Sequence, residues 1–90
     1  MKKKIHKFAL KLIDYQTINI RADSEFLTAQ FQGDILCLWA TVNISTPIVE
    51  KTIIIVGTGF TLDDFQHMEY IATVQDRSPN GNFVWHVFAA

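Results

Sequence analysis

The sequence predicts an all-β domain, a small antiparallel sandwich or barrel of six or seven strands. Three observations predict it. Period-two alternation and runs of β-branched residues recur along the chain, most densely in Ile53, Ile54, Ile55 and Val56. No stretch keeps a helical period over the ~11 residues that such a period needs to be read. Two hairpin-type dipeptides, Gly33-Asp34 and Asn80-Gly81, each separate two apolar runs.

Each element follows from its pattern. Lys3–Leu12 is the first strand, with Lys7, Ala9 and Lys11 on one face and Phe8, Leu10 and Leu12 on the other. Thr17–Ala22 is the second, turning Ile18, Ile20 and Ala22 to one side. Phe26–Gln32 and Ile35–Ile44 are the third and fourth, joined by Gly33-Asp34 as a two-residue turn. Counting outward from that turn pairs Phe31 with Leu36, Ala29 with Leu38 and Leu27 with Ala40, an apolar face for the core. Trp39 then stands on the more polar face. Lys51–Thr58 is the fifth strand. Thr61–Met68 offers one helical turn, with Thr61 as N-cap and Asp63 and Asp64 in its first turn. Met68–Gln75 and Phe83–Ala89 complete the set around Asn80-Gly81, with Tyr70, Ala72 and Val74 facing as Phe83, Trp85 and Val87 do.

Composition narrows the function classes. The chain has 90 residues, read as one domain spanning 1–90. With 49% hydrophobic and 19% charged residues it is not intrinsically disordered. A net charge of −1 excludes a general nucleic-acid binder with a basic surface. The longest uncharged stretch, Ile35 to Val49, contains Thr41, Asn43, Ser45, Thr46 and Pro47, short of the ~20 apolar residues of a spanning helix. The lysine-rich start lacks the long apolar region of a signal peptide. A single cysteine, Cys37, fits a reducing compartment, so the expected location is the cytoplasm. Five of the eight basic residues fall within residues 1–11, which suits a charged edge strand that resists edge-to-edge pairing. It also suits, as a second reading, a patch for an anionic partner.

Motifs able to carry chemistry are few. Gly57-Thr58-Gly59 follows a strand as a phosphate-binding loop does, but lacks the third Gly of a dinucleotide fingerprint and the Lys of a P-loop. A structural turn accounts for it; open backbone N–H groups there also suit an anion. Asp63, Asp64, His67 and Glu69 cluster without the paired spacing of a metal site. His86 lies between Trp85 and Val87, as a packed or interface histidine does. Trp39, Phe83, Trp85 and Phe88 have rings able to stack on bases, although a hydrophobic core accounts for most of them. No nucleophile elbow and no paired carboxylates occur, so no catalytic residue, metal or cofactor is expected. The ligand candidates are Gly57, Thr58, Gly59, Trp39 and His86.

Gln16-Thr17-Ile18, Cys37-Leu38-Trp39-Ala40, Val56-Gly57-Thr58-Gly59, Tyr70-Ile71-Ala72-Thr73 and Trp85-His86-Val87-Phe88 together resemble a family of short, uncharacterised proteins of tailed bacteriophages and prophages. The resemblance runs from Lys4 to Phe88. Many members of that family have His after Gly-Thr-Gly, where this chain has Phe60, and Gly in the Tyr-Ile-x-Thr motif, where it has Ala72. The resemblance implies a small accessory gene product of the bacterial host cytoplasm and carries no assigned activity.

Three functions compete on this basis. The first is a non-enzymatic phage accessory protein that binds and inhibits a host defence protein. The second is a homo-oligomeric sponge for an anionic, nucleotide-like small molecule. The third is a metal-assisted enzyme using Asp63, Asp64 and His67. The last strand is apolar on both faces, which predicts a homo-oligomer, most simply a dimer, with Val84, His86 and Phe88 at the interface.

Overall fold

Leu36, Leu38, Ala40 and Val42 alternate along one strand, and all four are buried. The computed structural model, which describes residues 2–63, 65–76 and 83–90, places that strand at the centre of a sheet. The strands are β1 (Lys4–Leu10), β2 (Tyr15–Arg21), β3 (Glu25–Gln32), β4 (Ile35–Val42), β5 (Ile48–Gly57), β6 (Glu69–Gln75) and β7 (Val84–Ala89). They form two antiparallel sheets, β1-β4-β3 and β2-β5-β7-β6, packed as a sandwich that does not close into a barrel. Among the described residues no helix is long and apolar enough to cross a membrane.

The core lies between the sheets. Leu10, Leu36 and Phe31 share one register level, and Phe8, Leu38 and Ala29 the next. Opposite them lie Ile53, Ile55, Ala72, Val74, Val87 and Ala89. Ile20, Ala40 and Val42 form a second buried group, with Phe8, Ile18, Phe26 and Val49 packed on it. The chain crosses from one sheet to the other after β1, after β2 and again after β4, so the two sheets are interleaved in sequence.

The Gly33-Asp34 turn forms as its sequence predicts. Gln32 pairs with Ile35, and Gly33 adopts φ 66, a conformation that suits glycine. The register from there is as expected for Phe31–Leu36 and Ala29–Leu38, but Phe26, not Leu27, faces Ala40. A bulge at Leu27 inserts one residue and leaves that side chain 47% exposed. A second bulge at Ile71 turns Tyr70 to the outer face beside Phe88, away from the Ala72 and Val74 face on which period-two counting put it.

Several boundaries also differ. β1 stops at Leu10, and Leu12 is exposed, because the chain leaves the sheet there. The Gln16 side chain closes that turn: Lys11 N–H donates to its Oε1 at 3.1 Å, and its Nε2 donates to the Lys11 carbonyl at 2.7 Å. Ala22 lies beyond β2, its N–H donating to the Pro47 carbonyl. The helical turn is a 3-10 turn over Phe65–His67 rather than one begun at Thr61. Asp64, Pro79 and the Asn80-Gly81 turn lie outside the described residues.

Candidate functional site

β5 runs past the end of β2. The last register pair between them is Tyr15–Ile54, and the Ile55 N–H donates to the Asp14 carbonyl at 3.1 Å. The following residues reach β7 on one side only. Thr58 N–H donates to the Val84 carbonyl, so the N–H of its neighbour Gly57 points to the other edge, where β2 no longer runs. Phe60 N–H then donates to the Gly57 carbonyl at 3.1 Å, and Gly59 takes φ 93, which makes Gly57-Thr58-Gly59-Phe60 a tight reversal.

That reversal lays the Phe60 ring over Gly57. A Cβ at position 57 would lie 3.0 Å from Phe60 Cδ2 and 3.3 Å from Trp85 Cζ3. Glycine thus lets both rings lie close against the backbone, and a side chain at 57 would make them give by a few tenths of an ångström. Phe83 stacks on Trp85, with ring centroids 5.7 Å apart and planes inclined by 28°. The result is a row of three rings along a cleft of about 830 Å³, with Asp14, Tyr15 and Thr58 also in its wall. Phe60 is 75% exposed and Phe83 58%, an unusual placement for such apolar area. The described residues of the wall include one carboxylate, Asp14, and no Lys, Arg or His.

A hydrogen-bonded chain crosses the outer face of the second sheet next to this cleft. Thr58 Oγ1 lies 2.7 Å from His86 Nε2, Thr73 Oγ1 lies 3.0 Å from His86 Nδ1, and Tyr70 Oη lies 2.7 Å from Thr73 Oγ1. A hydroxyl both donates and accepts, so the imidazole is held whichever nitrogen carries the proton. The chain fixes the Thr58 side chain at the rim of the cleft.

The residues predicted from sequence divide accordingly. Gly57 and Thr58 line the cleft, and Gly59 makes the turn beside them. His86 reaches the cleft only through Thr58. Trp39 is elsewhere: it is half-buried on the outward face of the first sheet, between Lys7 and Thr28 in register. Of the interface candidates, Val84 and His86 are half-buried, whereas Phe88 is buried by its own chain. The Tyr70 ring meets Phe88 edge-on at 5.6 Å. Asp14, Tyr15 and Phe60 were not singled out by sequence reasoning. Phe60 follows the glycine loop directly and was within reach of it; Asp14 joins the site through a strand register that spans forty residues and leaves no local signal.

Other candidate chemistry does not assemble. Among the described residues no three His, Cys, Asp or Glu side chains come together as metal ligands. Cys37 is buried in the middle of β4. The basic strand spreads its charges: Lys7 Nζ donates to Gln32 Oε1 at 2.7 Å, and Lys3 lies 3.7 Å from Glu25.

One family model matches residues 1–90, the full span of the chain, and it is described as a domain of unknown function. The chain belongs to DUF7352. No curated protein and no solved structure matches it.

Proposed function

We propose that this protein is a non-enzymatic binding module that holds a small molecule with a flat aromatic ring in the cleft beside Gly57-Thr58-Gly59. The observation that carries the proposal is the row of Phe60, Trp85 and Phe83, gathered beside a glycine against which two of the rings lie closely, and left open to solvent. Concave sites lined by rings with a few polar groups are the usual form of small-molecule pockets, and this volume lies in their range of roughly 300–1,000 Å³. The lining favours a neutral or cationic ligand, since its described residues include a carboxylate and no base. An anionic group of the ligand therefore has no counter-charge there. From the motif resemblance to phage proteins we further propose that such binding acts in an infected bacterium, where holding a host small molecule withdraws it from use.

Benzimidazole, a flat heteroaromatic probe, tests the proposal. In a Trp39→Phe variant Trp85 is the sole tryptophan. Saturable quenching of its emission is the expected result, weakened about tenfold or more by Phe60→Ala. An unchanged emission across the soluble range of the probe refutes the proposal.

A further inference from the structure

We infer that the ring this cleft receives is a nucleobase and that Asp14 together with the Gly57 N–H selects a guanine edge, an inference that rests on the cleft being a ring-binding site. The argument begins with the spacing of two polar groups on one wall. The Ile55 N–H is taken by the Asp14 carbonyl, which sets Asp14 level with Ile55. Gly57 is two residues further along the same edge, roughly 7 Å at ~3.3 Å per strand residue. Its N–H points to that edge, since Thr58 and β7 hold the other. A carboxylate only accepts hydrogen bonds and a backbone N–H only donates.

The wall therefore presents two acceptor oxygens at one end and a donor at the other, beside rings on which a base can lie flat. Guanine carries the complement on its Watson–Crick edge, with N1–H and the N2 amino group as adjacent donors and O6 as the acceptor. The other bases fit less well. Adenine and cytosine offer one exocyclic donor beside a ring acceptor, which faces a carboxylate with a lone pair. Uracil sets its single N3–H between two carbonyls. Reading an extruded base through its pairing edge while aromatic side chains stack on its faces is an established way to bind single nucleobases. Each such base-on-ring stack is worth about 1–3 kcal/mol and does not depend on the base, so the polar pair carries the choice.

Asp14 is exposed, which makes Asp14→Asn a substitution the fold tolerates. The test uses the Trp39→Phe protein with and without Asp14→Asn, titrated with guanosine, adenosine, cytidine, uridine and benzimidazole while Trp85 emission is read. Guanosine should bind at least tenfold more tightly than the other nucleosides. Asp14→Asn should remove that preference, bringing guanosine to within about threefold of adenosine. Equal binding of the four nucleosides, or guanosine binding indifferent to Asp14→Asn, overturns the guanine inference and leaves the ring site standing. If benzimidazole and all four nucleosides fail to alter the emission, the ring site falls and the inference with it.

Discussion

At the scale of single residues, two glycines two positions apart do different work. Gly57 is needed for space: a methyl there meets the Phe60 and Trp85 rings. Gly59 is needed for its backbone: it has φ 93, and nothing lies within 4 Å of where a side chain would start. The two alanine variants should therefore separate two properties. Gly59→Ala should lower stability by about 1–2 kcal/mol, the cost of a left-handed conformation for an L-residue, with the ring row intact. Gly57→Ala should displace Phe60 and weaken benzimidazole binding at least fivefold. Urea unfolding read by circular dichroism, beside the Trp85 titration, distinguishes them. Both glycines were visible in the sequence as a strand end, but which one serves space and which serves backbone was not. That difference depends on Trp85, a residue brought alongside only by the β5–β7 register.

At the scale of elements, the alternation of apolar residues located every strand, and it failed where a strand carries one residue too many. Period-two counting assumes an unbroken ladder, and the bulges at Leu27 and Ile71 break it without any Gly or Pro to mark them. Both are on edge strands, where a missing ladder bond is replaced by water at low cost. The bulge in β3 makes a sharp prediction. Deleting Leu27 leaves Phe26 opposite Ala40 and Ala29 opposite Leu38, the pairs that already exist. Deleting Gln30 from the same strand lets the bulge take up the missing residue, which keeps Phe26 opposite Ala40 but sets Ala29 opposite Cys37, facing outward, and Thr28 opposite Leu38, facing the core. The first deletion should change stability by no more than about 1 kcal/mol, within the range of ordinary surface changes. The second buries the Thr28 hydroxyl in place of Ala29 and should cost about 1–3 kcal/mol, read by circular dichroism through a urea series.

At the scale of the whole molecule, stability is small and shared. A domain of this size has about 5–13 kcal/mol in total, taking the usual 0.05–0.15 kcal/mol per residue. The outer face of the second sheet contributes more than its position implies: Ile54 and Phe88, paired across β5 and β7, are 3% and 5% exposed. In the sequence this looked like surface awaiting a partner chain, because a single strand with apolar residues on both faces does not reveal that Tyr70 is turned back over it by a bulge. Phe88→Glu should consequently cost about 4 kcal/mol or more, the range of buried unpaired charge, and remove most of the folded population. Retention of a native β spectrum by that variant at ambient temperature would count against the burial described here. The position of β7 has a consequence for biosynthesis. It is the last of the seven strands to be made, yet it lies inside its sheet, between β5 and β6. Until it is made, β5 and β6 both lack their native neighbour, and translation at ~5–20 residues per second makes that interval about a second. The second sheet is thus completed from its middle, when β7 enters between the β2–β5 pair and β6.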